Sequence, residues 1–226
     1  MQRLLILVLA SVLAFVLACL RAPAAQAGAW PREKGKVFLS ASTRVAGTSL
    51  AGPYSIYSTT YLEYGLTDRL TVGLDVGHAI SGQGKAVVFL RYPLALGKDP
   101  NRFAVELGLG TIAGEPAIRP GFSYGRGVSL GQSSGWFNVD TFAEYRGTNR
   151  RIDLKSDITF GLDPPGPLKA LVQLQTGISQ GDPSFARLAP SLLYEFGSRS
   201  HIELGLTAGL IGDTQMGVKL GFWREF

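Results

Sequence analysis

Beyond residue 27 the chain alternates hydrophobic and polar residues with a period of two, in short runs separated by Gly, Asp, Asn, Pro and Ser. Val37, Leu39, Ala41, Thr43 and Val45 make the first row. Rows from Ile56 to Leu66 and from Leu70 to Val76 follow, joined by a tight Thr67-Asp68-Arg69 turn. Ala86 to Leu94, Phe103 to Leu109 and Ile118 to Tyr124 complete the first half. Phe137 to Tyr145, Ile152 to Leu162, Leu168 to Thr176, Ala186 to Phe196, Ile202 to Leu210 and Met216 to Phe222 repeat the pattern. These rows predict twelve β-strands. Pro120 and Pro190 are where a strand end or a bulge is expected, because proline has no amide proton for the ladder.

Charge follows the same parity. Glu63, Asp75, Lys85, Arg91, Glu106, Arg119, Asp140, Glu144, Asp153, Lys155, Asp157, Arg187, Glu195, Glu203 and Lys219 all fall opposite the apolar rows, together with many of the glycines. A soluble sandwich also alternates, but its dry inner face has no use for a row of carboxylates. A closed sheet in a membrane does, since its outer row meets lipid and its inner row can be polar. The expected fold is therefore all-β, a closed antiparallel transmembrane barrel of twelve strands with short loops, residues 28–226 forming one domain. An even strand number puts both termini on the periplasmic side. Thr67-Asp68 and Gly197-Ser198-Arg199 are then very short periplasmic turns, and Gly47 to Pro53, Ala79 to Gly84 and Ser179 to Ser184 moderately longer outward ones. Tyrosines near the row ends suit an interfacial aromatic girdle.

Composition changes this picture in two places. Gly contributes 29 of 226 residues, about twice the usual ~7%, which argues against helices and for curved strands. The first 27 residues differ from the rest: Met1-Gln2-Arg3, an apolar run from Leu4 to Leu20, and Ala25-Gln26-Ala27 make a secretory signal cleaved after Ala27. Cleavage removes Arg3, Arg21 and the only cysteine, Cys19, and the net charge falls from +5 to +3. Two other readings of the leader exist, a lipoprotein box ending in Cys19 and an uncleaved transmembrane helix. Each leaves the protein at a membrane.

The final run Met216 to Phe226 resembles the last strand of bacterial outer-membrane barrels, with Val218, Leu220, Phe222 and the terminal Phe226 at the matching positions. Arg224 takes a place that is usually apolar, where its stem can snorkel. In that family the strand is read by the barrel assembly machinery, which the resemblance implies as a partner in biogenesis. The hairpin from Glu63 to Gly73 is similar to a strand-turn-strand repeat of transporter-like outer-membrane barrels related to the phenol meta-pathway family. Transport of a hydrophobic compound is what this resemblance implies.

The expected function is a narrow channel or transporter for small or hydrophobic solutes in the outer membrane; the alternative is a non-conducting barrel that stabilises the envelope. Candidate lumen residues are Glu63, Asp75, Arg91, Glu106, Arg119, Asp140, Glu144, Asp153, Lys155, Asp157, Arg187, Glu203 and Lys219. Asp140, Glu144, Asp153 and Asp157 alternate along neighbouring strands as an acidic surface that Lys155 offsets in part, and such a surface favours cations. Outer-membrane phospholipases place His and Ser two residues apart on one strand. Here His78 and Ser81 are three apart across a Gly-rich turn, so an enzyme is not expected. His201 beside Glu203 lacks the convergent partners of a metal site. No cofactor is expected, and no nucleic acid, because there is no Lys/Arg-rich block. Membrane lipids are the expected surroundings. The turn from Arg146 to Arg151 would meet lipopolysaccharide phosphates if it faces outward.

Overall fold

The computed structural model describes residues 28–49, 51–96, 99–181, 183–197, 199–212 and 214–226. Residues 1–27, where the sequence places the expected leader and Cys19, lie outside them. Twelve strands follow in chain order: β1 (Val37–Gly47), β2 (Tyr54–Gly65), β3 (Thr71–Ala79), β4 (Gly84–Leu94), β5 (Asn101–Ile112), β6 (Glu115–Leu130), β7 (Ser133–Arg146), β8 (Arg151–Asp163), β9 (Leu168–Ser179), β10 (Phe185–Glu195), β11 (Ser200–Ile211) and β12 (Met216–Glu225). Each pairs antiparallel with its neighbours, and β12 returns to β1 with Phe38 opposite Glu225 and Gly47 opposite Met216. The terminal residue joins this seam: the Phe226 amide donates to the Val37 carbonyl at 2.9 Å. The fold is the closed antiparallel barrel that the alternation predicts.

Following the register from Phe38 once around the sheet returns to β1 about fourteen residues further on, the stagger that tilted strands need to close. Side chains alternate strictly across the wall. Val218, Leu220, Leu204 and Leu206 are more than half exposed on the outside, whereas Glu203, Glu106 and Arg119 are buried within. Hydroxyls in the outer row satisfy each other across strands, Thr43 with Ser58 at 3.0 Å and Thr141 with Ser156 at 3.1 Å.

Three features differ from the sequence expectation. The prolines neither end strands nor shift the register. Pro120 lies within β6 opposite Leu107, and Pro190 within β10 opposite Val172, each costing the ladder one donor on one side. The one bulge against β11 falls instead at Ala186 and Arg187. β6 runs on through Gly125, Arg126 and Gly127 to Leu130, where Arg126 interrupts the apolar row before Val128 and Leu130 resume it, and pairing with β7 holds it. The two ends of the barrel are also alike in loop length. The longest connections have six residues each, Gly47 to Tyr54 at one end and Leu94 to Asn101 at the end with both termini.

Residues 28–36, ahead of β1, turn into the barrel at that terminal end. The Arg32 amide donates to Thr71 Oγ1 at 3.0 Å, the Lys34 amide to Asp68 Oδ1 at 3.1 Å, and the Gly35 amide to the Gly65 carbonyl at 2.8 Å. Ala29 and Trp30 are buried against Trp136.

The outer row generates a test. Leu206, on the outer face near the middle of β11, should tolerate phenylalanine, whereas Leu206→Arg should cost about 2–4 kcal/mol, the penalty of a charge near the bilayer midplane. Urea titration of refolded protein in lipid vesicles measures the difference.

Candidate functional site: the barrel interior

The inner row of β2 to β6 folds into one ion network. Glu63 accepts from Arg32 Nε at 2.6 Å and also from Arg91. Arg91 reaches on to Glu106 at 2.8 Å, Arg119 links Glu106 at 2.9 Å to Asp75 at 2.5 Å, and Lys85 closes on Asp75 at 2.7 Å. Tyr61 bridges the centre, accepting from Arg91 and donating to Glu63, both at 2.8 Å. Four cations thus meet three carboxylates, and Arg32 comes from the segment before β1, not from the wall. The network rests on rings: Phe89 stacks on Tyr61 with centroids 5.6 Å apart and lies under Arg91, while Arg119 sits 4.8 Å over Phe142.

Glycine makes room for these rings. Gly73 faces Phe89, Gly121 faces Phe142, Gly161 faces Trp136 and Gly177 faces Phe185, each directly across a strand pair. A methyl group at any of the four would collide with the ring opposite. The inner glycines therefore fit the wall to its aromatic filling as well as letting it curve.

The other half of the interior is looser. Glu144 pairs with Lys155 at 2.6 Å, Asp153 with Arg146 at 2.8 Å, and the fully buried Glu203 with Lys219 at 2.7 Å and with the Trp223 indole at 3.0 Å. Thr159, Gln173 and Gln175 form an amide and hydroxyl chain on β8 and β9, with links of 3.2 and 2.7 Å. Between the two halves lies a cavity of about 530 Å³.

The cavity is bordered by most of the residues singled out from the sequence: Glu63, Asp75, Arg91, Arg119, Asp140, Glu144, Lys155, Asp157, Arg187, Glu203 and Lys219. Glu106 and Asp153 also point inward, but they are buried in their ion pairs and do not border it. The acidic surface expected of β7 and β8 is accordingly reduced. Arg146 and Lys155 neutralise Asp153 and Glu144, leaving Asp140 and Asp157, which stand directly opposite each other. Sequence reasoning passed over Tyr57, Tyr61, Trp136, Phe142 and Trp223, which share the border. All have the parity of the charged residues, and that parity was the available signal.

The other motifs lie apart from the cavity. His78 is exposed on the outer face opposite Ser58, and Ser81 sits in the turn beyond. His201 lies at the start of β11 opposite Trp223. Among the described residues no group of three or more His, Cys, Asp and Glu could hold a metal ion. The Arg146 to Arg151 turn is at the end away from the termini, where Asn149 donates to Glu115 at 3.0 and 2.9 Å.

A closed twelve-stranded barrel with a polar interior is the architecture of porin-like outer-membrane proteins. Three solved structures resemble this chain in fold. An outer-membrane channel from Pseudomonas putida F1 is 10% identical, with a TM-score of 0.57 over 90% of this chain and 100% of that one. The NanC porin is 8% identical, with a TM-score of 0.65 over 82% and 98%. The KdgM porin, solved in complex with disordered oligogalacturonate, is 10% identical, with a TM-score of 0.58 over 83% and 99%. No protein-family model and no curated protein matches the sequence.

Arg91 is the keystone of the denser half. Arg91→Met should leave Glu63 with Arg32 and Glu106 with Arg119 as the remaining cation and lower stability by at most about 3–5 kcal/mol, the range for breaking a buried pair from one side. Replacing Arg91, Glu63 and Glu106 together with apolar residues of similar volume should cost less. Equilibrium unfolding of the refolded barrels compares them.

Proposed function

We propose that the chain is an outer-membrane channel for small hydrated solutes, exported by a leader that is cleaved after Ala27. The observation that carries this is the cavity between the two charged halves, about 530 Å³ and bordered by carboxylates, cations, amides and hydroxyls. Its size is in the range of small-molecule sites. The porin-like fold supports the same reading. So does the shortness of the loops, none longer than six residues. The same border carries the rings of Tyr57, Tyr61, Trp136, Phe142 and Trp223, so it also offers apolar surface to the hydrophobic compound that the Glu63 to Gly73 hairpin resemblance implies.

The conduit is narrow and closed or nearly closed at rest. Residues 28–36 occupy the terminal end of the lumen, and Trp30 packs against Trp136 across it. Asp140 and Asp157 give the passage its cation preference, because they are the lumen carboxylates of β7 and β8 without a cation partner among the described residues. Outside, Phe226, Phe222, Leu220 and Val218 form the signal for the assembly machinery, and the Arg146 to Arg151 turn meets lipopolysaccharide. The non-conducting alternative draws on the same ion network, which would hold a wall together whether or not anything passed.

Planar-bilayer recording tests the channel. Wild type should show small or rare openings, and Trp30→Ala should raise the mean conductance several-fold by clearing the lumen. Silence of both proteins at every voltage would overturn the channel reading and leave the structural one. Under a salt gradient, Asp157→Asn should move the reversal potential away from the cation limit; an unmoved potential in a conducting variant would remove Asp157 from the selectivity assignment.

A further inference from the structure

We infer that the Asp140 and Asp157 carboxylates form an internal ammonium-binding site, and that its ligand is the α-ammonium group which leader cleavage creates at Gly28. Two like charges directly opposite on antiparallel strands destabilise a sheet unless something neutralises them. Elsewhere in this wall the problem is solved with a cation: Glu144 and Asp153, also directly opposite, have Lys155 and Arg146. Asp140 has only neutral donors, Ser123 Oγ and Asn138 Nδ2, both at 2.5 Å. Among the described residues no ion pair reaches Asp140 or Asp157.

The chain itself brings residue 28 to this place. Gly28 lies so close to the Asp140 carboxylate that a methyl group there would overlap it. The Ala29 amide points to Asn138 Oδ1 at 3.4 Å, and Ala29 is wholly buried. The wall is cut to receive the segment at two glycines. A methyl at Gly125 would strike the Trp30 ring, and one at Gly65 would strike the Glu33 carbonyl. Gly65 also donates its amide to the Lys36 carbonyl at 3.0 Å, and Arg32 enters the Glu63 network. Residue 28 is therefore held at the acidic pair by contacts along the whole stretch that follows it.

Before cleavage the nitrogen of Gly28 is a neutral amide. Hydrolysis of the Ala27–Gly28 bond releases the leader with a new carboxylate and leaves a primary amine on Gly28, which is protonated at neutral pH, with an ordinary pKa of about 7.7–8.0. The new charge is placed beside two carboxylates that no ion pair reaches among the described residues, Arg91 acting on Asp140 and Lys85 and Lys155 on Asp157 only from further off. Processing thus sets one positive charge against the two carboxylates, which leaves a net negative charge for the cation preference, and tethers the segment that narrows the lumen. The inference rests on cleavage after Ala27, and not on whether solute passes.

Amine acylation tests it. Protein exported through its own leader and purified in detergent should begin at Gly28 by mass spectrometry. A start at any other residue overturns the inference. At neutral pH an acylating ester should modify the Gly28 amine at least tenfold more slowly in the folded barrel than in the urea-unfolded chain. In Asp140→Asn/Asp157→Asn the rate should rise several-fold above that of the folded wild type, the rest of the protection being that of the buried segment, with heat-modifiable gel mobility showing that the barrel is folded. If the double variant does not fold, Asp157→Asn alone, or a chain with two residues added ahead of Gly28, should show the same gain. Equal rates in folded and unfolded wild type overturn the proposal, as does a folded double variant that labels no faster than the folded wild type, since burial alone would then be the cause. A silent bilayer with a protected amine overturns the channel reading and supports this one; a conducting barrel with a freely reactive amine does the reverse.

Discussion

The hydrogen-bonded seam between β1 and β12 is the contact on which the rest of the molecule depends. In hydrocarbon an unpaired backbone amide or carbonyl costs several kcal/mol, so a sheet can cross only if its first and last strands meet. Here they do so from Phe38 to Gly47, and the terminal Phe226 adds its own amide to the seam. Once the sheet is closed, the two faces of every strand become different solvents. One row is dissolved in lipid, and everything polar has to be accommodated on the other.

That requirement explains the character of the interior. The charged residues of the strands converge on one narrow space, where desolvation makes each ion costly and pairing compulsory. The β2 to β6 half meets this with a continuous chain of ions from Arg32 to Lys85, filled out by Tyr61, Phe89 and Phe142. The half around β8 and β9 meets it with amides and hydroxyls, which can exchange their partners for water at little cost. One side of the lumen is therefore a structural solid and the other a wettable wall, and the cavity lies where they meet.

Much of this is legible in the sequence, because a two-residue period survives closure unchanged. The twelve rows, the inward parity of Glu203 or Asp157, and the outward parity of Leu206 all follow from it. What the period does not carry is register. Nothing local distinguishes Asp153, which Arg146 neutralises, from Asp157, which faces Asp140; only the pairing of β7 with β8 separates them. The extension of β6 to Leu130 is obscured because Arg126 breaks the apolar row between Tyr124 and Val128, and Pro120 stays within its strand because it removes one donor without moving the register. Ala29-Trp30-Pro31-Arg32 has no periodicity, so its position inside the barrel was invisible until the wall was built around it.

The pairing of inner glycines with aromatic rings has a consequence for how such a lumen can change. At Gly73 with Phe89, or Gly161 with Trp136, the volume on one strand is the exact complement of the volume on the next, so the two positions behave as a single unit of space. Enlarging the glycine alone produces a collision, and shrinking the ring alone leaves a hole. Exchanging the two residues keeps the volume and moves the ring one strand around the circumference, about 4.8 Å along the hydrogen-bonding direction. The bore of the barrel can thus be redrawn by transposition, with the backbone, the outer row and the seam left untouched.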